Sequence, residues 1–254
     1  MALIDVVGIT KEFGGLKAVD GVSLQVRKGE IVSLIGPNGA GKTTVFNLMT
    51  GIYRVDSGSV RFDGREITNL PPRGIVRAGV SRTFQNIRLF SNLRVIENVL
   101  LGEHDSIRYS FLDALLRTRR YRAAERGGAQ RALELLERIG LKDEMNSYAG
   151  DLPYGKQRRL EIARAIATGA RLILLDEPAA GMNPQESEDL MQFIRALRDD
   201  GFTILMIEHD MRIVMNVSDR IYVMNYGRVI ADGTPVEIAR NPEVISAYLG
   251  ESED

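Results

Sequence analysis

The amino-acid sequence predicts an α/β fold with a mostly parallel sheet, a small N-terminal antiparallel β-subdomain and an inserted helical subdomain. Short apolar runs, separated by helical patterns, are typical of buried parallel strands and predict the main sheet. The alternation of Val22, Leu24 and Val26 with polar residues predicts the antiparallel part, and residues 93–141 show no strand pattern. The apolar runs lie at residues 30–35, 80–84, 172–176 and 202–207.

The composition is that of an ordinary globular protein. Hydrophobic residues make up 44% and charged residues 26% of 254, which suffices for a sizeable core and excludes general disorder. The 33 Lys and Arg nearly balance the 34 Asp and Glu, so net charge gives no reason to expect nucleic acid or anionic lipid. With no cysteine and two histidines, disulfides and Cys- or His-rich metal sites are excluded. No signal-peptide pattern or apolar run of roughly 18 to 20 residues occurs, so we expect neither secretion nor a membrane span.

The first elements surround a glycine-rich loop. Turn residues at 20–21 and 28–29 bound the first predicted strand, and the strand at 30–35 runs directly into the loop. Helical spacing follows over residues 42–50 and stops at Gly51. The order is therefore strand, glycine loop and helix.

Residues 36–43 match the pattern G-x-x-x-x-G-K-[ST] in the strand-loop-helix context that this motif requires. Gly36, Gly39 and Gly41 let the backbone bend so that its N–H groups face phosphate oxygens, and the helix N-terminus favours the same anion. Lys42 would reach the β- and γ-phosphates, and Thr43 would offer a hydroxyl to Mg²⁺. The alternative is a glycine-rich turn with an incidental lysine. Agreement of motif and context favours a P-loop NTPase core.

Two carboxylates, Asp176 and Glu177, end the apolar run at 172–176. Ligands gather at the carboxyl edge of a parallel sheet, so these residues are expected beside the phosphate loop. Asp176 is placed to hold the metal, and Glu177 is the natural group to orient or deprotonate an attacking water. A solvated strand end is the alternative.

The remaining elements are predicted by local signals. Apolar residues at helical spacing predict a helix over 129–139 in the insert. Asn183, Pro184 and Glu186 form an N-cap, a first-position proline and a capping-box glutamate, which predict a helix to about Arg198. The pattern also predicts a hairpin of residues 220–224 and 228–231 and a short helix from Thr234-Pro235.

Residues 151–160, Asp-Leu-Pro-Tyr-Gly-Lys-Gln-Arg-Arg-Leu, resemble the signature of ATP-binding cassette (ABC) ATPases and precede the Asp176 strand as in that family. The resemblance extends over the chain: Phe13 looks like the adenine-stacking aromatic, Gln85 like the Q-loop glutamine, residues 180–183 like the D-loop, and His209 like the switch histidine. It implies a single ABC ATPase domain over 1–254, with a nucleotide-binding core at 1–87 and 160–254 and a helical subdomain with the signature at 88–159.

The resemblance and the loop motif together give a set of expected site residues. Catalysis is expected from Glu177, His209 and Gln85, and Mg²⁺ is expected at Thr43, Gln85 and Asp176. ATP is expected at Phe13, Gly36, Pro37, Asn38, Gly39, Ala40, Gly41, Lys42, Thr43 and Thr44, and at Leu152, Tyr154, Gly155, Lys156 and Gln157 of the signature.

The signature departs from the common L-S-G-G-Q form. Pro153 has neither a hydroxyl nor an N–H, so the usual serine contact to the γ-phosphate is missing. Gly155 opens a helix whose N-terminal N–H groups could meet a γ-phosphate supplied by another subunit. Lys156 either adds charge to that contact or is a solvated lysine in the first helical turn. Asn183 also stands where the family usually has aspartate.

Among ABC ATPases, the Leu-Pro-Tyr-Gly form, the run at 86–90 after Gln85 and the enlarged insert resemble the LivG-type ATPases of branched-chain amino acid importers. This resemblance implies MgATP hydrolysis that drives amino acid uptake by ATP-driven dimer closure. It also implies a head-to-tail dimer with a like or sister ATPase, integral-membrane permease subunits and, indirectly, a solute-binding protein. The expected location is cytoplasmic, peripheral on the inner face of the cell membrane. No nucleic acid partner is expected.

Two segments of the insert have open interpretations. Leu89, Phe90, Leu93 and Val95 are apolar residues just after Gln85, which either receive a membrane subunit or pin the insert to the sheet. Seven arginines over residues 108–131, namely 108, 117, 119, 120, 122, 126 and 131, either face anionic head groups or form a solvated face.

Other classes of P-loop protein fit less well. No Asn-Lys-x-Asp tetrapeptide of the guanine-reading type occurs, which argues against a GTPase. A P-loop kinase would leave the signature and His209 unexplained. A soluble ABC ATPase acting on nucleic acid in repair or translation is the main rival, but the zinc motifs, paired cassettes and long coiled coils of such proteins do not occur here.

Overall fold

A computed structural model of the chain describes residues 2–103, 113 and 115–249. The strands within these residues form an antiparallel sheet and a mostly parallel sheet, as predicted. They are β1 (Ala2–Phe13), β2 (Leu16–Arg27), β3 (Ile31–Ile35), β4 (Ser57–Phe62), β5 (Arg65–Glu66), β6 (Val80–Arg82), β7 (Leu172–Asp176), β8 (Thr203–Ile207), β9 (Arg220–Asn225) and β10 (Arg228–Gly233).

In the sheet-bearing part of the chain, helices lie between groups of one to three strands and after the last strand, and in the insert they follow one another. They are α1 (Lys42–Met49), α2 (Pro72–Ala78), α3 (Val95–Gly102), α4 (Arg119–Arg138), α5 (Tyr154–Ala167), α6 (Pro184–Asp199), α7 (Met211–Val217), α8 (Pro235–Ala239) and α9 (Pro242–Leu249), with a 3-10 turn at Ala149–Asp151.

The antiparallel sheet has the order β2-β1-β4-β5. Its hairpin β1-β2 contains the predicted alternation, and Val22, Leu24 and Val26 are buried between exposed neighbours. The turn pair at 20–21 does not begin the strand, because β2 passes through it with Gly21 at a φ of +66°. The strand is therefore longer than the alternation alone predicts.

The mostly parallel sheet has the order β10-β9-β3-β8-β7-β6, and only β10 is antiparallel to its neighbour. Every residue of β3, β7 and β8 is buried, which explains their continuous apolar sequences. Leu34 and Asp176 both pair with Ile207, so these three strands end level with one another. The segments that follow them therefore emerge at one edge of the sheet.

The two faces of this sheet are covered by different layers. Alternate residues such as Leu34 and Leu174 pack with α1 and the antiparallel sheet. On the other face, Ile35, Ile221 and Val223 pack with residues of α7, α8 and α9. The strands that carry the candidate site are thus held between two apolar layers.

The predicted caps at Asn183 and Thr234 give the correct helix starts. Asn183 caps α6 in the predicted capping box, with its Oδ1 accepting from Glu186 N at 2.9 Å, and Thr234 caps α8 in the same way. The helix predicted at 129–139 is the second half of α4, whose first half is rich in arginine and lacks apolar periodicity. Thr118 caps α4, and the described arginines of the basic segment lie on or next to it; Arg108 lies outside the described residues.

The chain divides into two compact units, Met1–Gln85 with Arg171–Asp254, and Asn86–Ala170. Helix α5 begins in the signature, and all of it belongs to the second unit. The sequence predicts that the helical subdomain ends at residue 159, and this limit stays a prediction. No helix within the described residues is long and apolar enough to cross a bilayer.

Candidate active site

The glycine loop between β3 and α1 has a backbone path that its surroundings enforce. Gly36 and Gly41 have φ angles of +148° and +98°, and an added Cβ would lie 2.1 Å from Met224 O and 2.5 Å from Ala18 O, respectively. Neither position can therefore hold a side chain. Gly39 has a φ of +77°, and an added Cβ there would meet no atom of the part of the chain that the structure describes within 4 Å. A ligand can thus approach the backbone closely at Gly39.

Lys42 begins α1 and is buried, with a relative exposure of 6%. Its Nζ donates to Gly36 O at 2.6 Å and to Pro37 O at 2.7 Å, so the ammonium is held inside the loop. The first turn of α1 has no acidic residue and no capping side chain. The helix N-terminus therefore adds its N–H groups and partial positive charge to that of Lys42, which favours an anion.

A pocket of about 220 Å³ joins the loop to the ends of β7 and β8. It is lined by residues of the loop together with Glu177, the predicted base, and His209, the predicted switch histidine. The lining residues are Ala18, Asn38, Gly39, Ala40, Gly41, Lys42, Thr43, Thr44, Glu177 and His209.

Glu177 brings together the three side chains expected in catalysis. Its Oε1 lies 2.5 Å from His209 Nε2, and its Oε2 accepts from Gln85 Nε2 at 2.7 Å. The residue has a φ of +46°, in the left-handed region, and its N donates to Ile207 O at 2.9 Å. This turn removes Glu177 from the alternation of β7, so its carboxylate need not point to the face of the sheet opposite to that of Asp176.

Asp176 is buried at the end of β7, and its Oδ2 accepts from Arg82 Nη2 at 2.6 Å. Thr43 is an exposed residue in the first turn of α1 and lines the pocket. Hydroxyl, carboxylate and amide oxygens are the donors that Mg²⁺ prefers, so Thr43, Asp176 and Gln85 fit that ion chemically. No cluster of three or more His, Asp or Glu side chains that could hold a metal alone occurs in the described part of the chain.

Glu208 lies directly before His209 and is buried. Its Oε1 accepts from Ala179 N at 2.9 Å, and its Oε2 accepts from His209 N at 3.2 Å. Burial raises the pKa of the Glu208 carboxyl, and the two backbone hydrogen bonds oppose that rise. Glu208 thus connects the turn after Glu177 to the backbone of the predicted switch histidine.

Phe13 ends β1, and its side chain is partly exposed. Tyr53 contacts it edge to face with ring centroids 5.3 Å apart, and Lys11 Nζ lies 5.3 Å from its centroid. An aromatic surface is therefore available for a base, and the role of Phe13 stays a prediction.

The signature residues form the start of α5. Pro153 is the N-cap residue and offers no side-chain cap, Tyr154 is the first helical residue and is partly exposed, and Leu152 is buried. Gly155 has an ordinary φ, and an added Cβ would meet no atom of the described residues within 4 Å. Packing among these residues therefore does not require glycine at position 155.

The two polar residues after Gly155 have contacts within the second compact unit. Lys156 forms an ion pair with Glu144, and Gln157 Nε2 donates to Leu152 O at 2.8 Å. Gln157 thus stabilises the segment that leads into α5. The proposed contact of Lys156 and Gln157 with a nucleotide stays a prediction.

Sequence reasoning gave no role to Arg82, Glu208, Arg158 and Glu161, charged residues whose side chains are buried. Arg158 Nη1 donates to Glu161 Oε2 at 2.7 Å, and Glu161 Oε1 accepts from Arg88 N at 3.1 Å, three residues after Gln85. A usable signal existed for Arg82 and Glu208, because each is a charged residue inside or directly after an apolar strand. No comparable signal marks the pair on α5, since alternating charges on a helix usually indicate a solvated face.

Two family descriptions match the chain. That of the ABC transporter family matches residues 19–180, and that of the branched-chain amino acid ATP-binding cassette transporter matches residues 228–254. The first match includes the loop, the signature and the strand that ends in Asp176. The second covers the C-terminal hairpin strand β10 and the helices beyond it.

Full-length relatives and solved structures resemble the chain closely. It is 51% identical over 251 residues to the high-affinity branched-chain amino acid transport ATP-binding protein BraF of Pseudomonas aeruginosa, with 98% of each chain covered. It is 50% identical, with the same coverage, to the corresponding protein LivG of Escherichia coli strain K12. The ADP conformation of an ATP-binding cassette of an ABC transporter superimposes with a TM-score of 0.84 at 35% identity, covering 98% of this chain and 99% of that one.

Proposed function

The chain belongs to the ABC transporter family of ATP-binding proteins, and we propose that it hydrolyses MgATP to power uptake of branched-chain or related amino acids through separate membrane subunits. The observation that carries the ATPase function is the pocket where the phosphate loop meets Glu177 and His209. The relatives BraF and LivG are branched-chain amino acid transport ATP-binding proteins, which supports the substrate class. They give no support to the rival function on nucleic acid.

Hydrolysis requires attack of a water oxygen on the γ-phosphorus, with release of ADP and inorganic phosphate. Glu177 accepts the proton of that water as the new P–O bond forms. Gln85 and His209 hold its two carboxylate oxygens and so fix its direction. Lys42 and the N–H groups of the loop stabilise the charge that develops on the phosphate oxygens.

Thr43, Asp176 and Gln85 would hold the magnesium ion. When bound, this ion neutralises charge on the β- and γ-phosphate oxygens. Asp176 is already constrained at one oxygen by Arg82, which leaves its other oxygen for the ion or a water of its shell. Thr43 sits on α1 beside Lys42, so one helix start serves both the phosphate and the ion.

A second ATPase subunit completes the site. The N-terminus of α5 presents Gly155 with open space around its Cα, so a phosphate of ATP bound by another subunit can approach the backbone closely. We propose a head-to-tail dimer in which each nucleotide lies between the loop of one subunit and the signature of the other. The second subunit is this chain or a sister ATPase.

Membrane subunits would bind the second compact unit. Phe90 is 53% exposed and lies under the Arg164 guanidinium at 5.5 Å from its ring centroid. An exposed aromatic residue just after the Gln85 segment suits a docking surface that senses the nucleotide site. The chain would then lie at the cytoplasmic face of the membrane and depend indirectly on a solute-binding protein.

The proposal is tested by co-expressing the tagged chain with the permease pair and sister ATPase of a branched-chain amino acid importer. We expect a stoichiometric detergent-stable complex whose ATPase rate rises with the loaded solute-binding protein. A chain that joins no such complex, but hydrolyses ATP only in the presence of DNA or RNA, would refute the transport function.

A further inference from the structure

Arg82 is a buried cation beside the proposed magnesium site, and sequence reasoning gave it no role. Its side chain is 6% exposed at the end of β6. Nη2 donates to Asp176 Oδ2 at 2.6 Å, and Nη1 donates to Asn47 Oδ1 at 2.6 Å. One guanidinium thus bridges two separate elements by two short hydrogen bonds.

The bridged elements are those that carry the proposed metal ligands. Asp176 is itself one of them, at the end of β7. Asn47 lies on α1 one helical turn after Thr43. Arg82 is three residues before Gln85, in the same short segment. All three proposed ligands are therefore on elements that meet at this guanidinium.

The surroundings hold the guanidinium in place. Its central carbon lies 5.5 Å from the centroid of Phe46 and 5.2 Å from that of Phe84. Both rings are within the distance at which a cation is attracted to an aromatic face. The orientation of the donor fork, and hence of the Asp176 carboxylate, is fixed by packing as well as by hydrogen bonds.

Stability alone does not explain a charge at this position. Replacing a buried ion pair by well-packed apolar residues is often neutral or stabilising, because desolvation offsets the attraction between the charges. Arg82 Nε is moreover buried without a hydrogen-bond partner among the described residues, which is unfavourable for stability. The arrangement is better suited to holding a carboxylate in one direction than to maximising stability.

We propose that Arg82 is the positioning residue of the magnesium site. It holds Asp176 by Oδ2, keeps Oδ1 available to the ion or its water, and ties that carboxylate to the helix of Thr43 and the segment of Gln85. This inference rests on the proposed function, because it assumes that Asp176 serves a nucleotide-bound cation. It assigns Arg82 no contact with the nucleotide itself.

The test uses the full chain with Mn²⁺ as the probe and an imido-bridged, non-hydrolysable ATP analogue. Two quantities are measured: the affinity for the analogue in EDTA, and the affinity of the protein-analogue complex for Mn²⁺ from its paramagnetic resonance signal. For Arg82→Met we expect Mn²⁺ affinity to fall about tenfold or more, as for loss of a group that orients a metal ligand. Affinity in EDTA should stay within about twofold, because the phosphate loop is unchanged.

Three further variants separate positioning from general disruption. Arg82→Lys keeps a cation for Asp176 but lacks the fork, so it should recover part of the Mn²⁺ affinity. Asn47→Ala should reduce it by a smaller factor than Arg82→Met. Arg171→Met is the matched control. Arg171 also lies against a phenylalanine ring, at 5.0 Å from the Phe62 centroid, but it is not one of the residues proposed to act at the ATP or Mg²⁺ site. It should leave both affinities unchanged.

The inference is overturned if Arg82→Met keeps wild-type Mn²⁺ affinity, or if both affinities fall by the same factor. Should Arg82→Met not fold, unchanged Mn²⁺ affinity in both Arg82→Lys and Asn47→Ala overturns it equally. A wild-type complex that shows no Mn²⁺ site would instead refute the proposed metal site. The two failures are therefore distinguishable.

Discussion

Glu177 combines a strained backbone with a carboxylate whose two oxygens are both engaged. A left-handed φ costs a non-glycine residue on the order of 1–3 kcal/mol and persists only where the surroundings impose it. Here β8 imposes it through the hydrogen bond from Glu177 N to Ile207 O at 2.9 Å. The turn places the carboxylate between Gln85 and His209, so the strain has a consequence for the site.

Changing Glu177 to glutamine tests its role as the base. The amide keeps the size of the side chain but cannot accept the proton of the attacking water. We therefore expect Glu177→Gln to bind ATP with near wild-type affinity and to release phosphate at least about 100-fold more slowly. Phosphate release and ATP affinity are both measured in the assembled complex.

The matched control is Glu188→Gln on α6, which neutralises an exposed glutamate outside the pocket. Its turnover should equal that of the wild type. If Glu177→Gln also turned over at that rate, another residue would have to be the base.

At the scale of elements, the sequence predicts what local chemistry dictates and misses what packing decides. Continuous apolar runs predict the buried parallel strands, and the capping box predicts the start of α6. The glycines predict the loop before α1. The early start of α4 does not, because its first half has no apolar stripe. The contacts of Arg82 and Glu208 were also missed, since strand order, which is non-local, decides which charged side chain meets which carboxylate.

Gly155 offers a test at the start of α5. Because an added Cβ would meet no atom within 4 Å, Gly155→Ala should keep its stability or gain up to about 1 kcal/mol from the better helix propensity of alanine. If another subunit's phosphate approaches this position, the same methyl group should lower the ATPase rate of the assembled dimer about tenfold or more. Chemical denaturation and phosphate release measure the two effects.

Gly127→Ala on α4 is the control for Gly155→Ala, because it makes the same change within a helix away from the signature. Its added Cβ would lie 3.3 Å from Arg131 Nη1, the end of a flexible side chain, so the variant should stay near wild-type stability with an unchanged ATPase rate. An unchanged rate in Gly155→Ala as well would argue against close approach of a phosphate at α5.

Glu208 lies in the turn that joins β8 to α7 and should make the free energy of unfolding depend on pH. Burial raises the pKa of this carboxyl above its usual 4.5, so the folded state binds its proton more tightly than the unfolded state does. Its contribution to stability is then present below about pH 4.5 and is lost as the pH rises through the folded-state pKa. Glu208→Gln removes this titration, so the variant should gain in unfolding free energy relative to wild type as the pH rises from about 4.5.

Urea denaturation of both proteins over a series of pH values measures that difference. Glu188→Gln, an exposed change, should show no comparable trend. The assigned effect of burial would be contradicted if the difference in unfolding free energy between Glu208→Gln and wild type stayed constant with pH. It would also be contradicted if the wild type gained stability relative to the variant as the pH rose.

At the scale of the whole molecule, Phe90 tests the proposed docking surface for membrane subunits. Phe90 is 53% exposed, whereas Phe62 is 2% exposed in the core. Phe90→Ala should thus destabilise the isolated chain by less than the roughly 3–5 kcal/mol expected for Phe62→Ala. Its basal ATPase rate should stay near wild type, while assembly with membrane subunits weakens.

Denaturation of the isolated chain and co-purification with the permease measure these two quantities for Phe90→Ala. Equal losses of stability in Phe90→Ala and Phe62→Ala would show that Phe90 is a core residue. Docking would then have to be assigned to another surface.

Leucine uptake into proteoliposomes tests most directly whether this chain powers import. The proteoliposomes contain the permease subunits, the ATPase pair with this chain, and the solute-binding protein. ATP supplied on the cytoplasmic side should drive accumulation against the gradient with the wild-type chain, and Glu177→Gln should abolish most of it while the complex stays assembled. Uptake that needs no ATP, or that proceeds equally well with Glu177→Gln, would contradict the claim that this chain powers import.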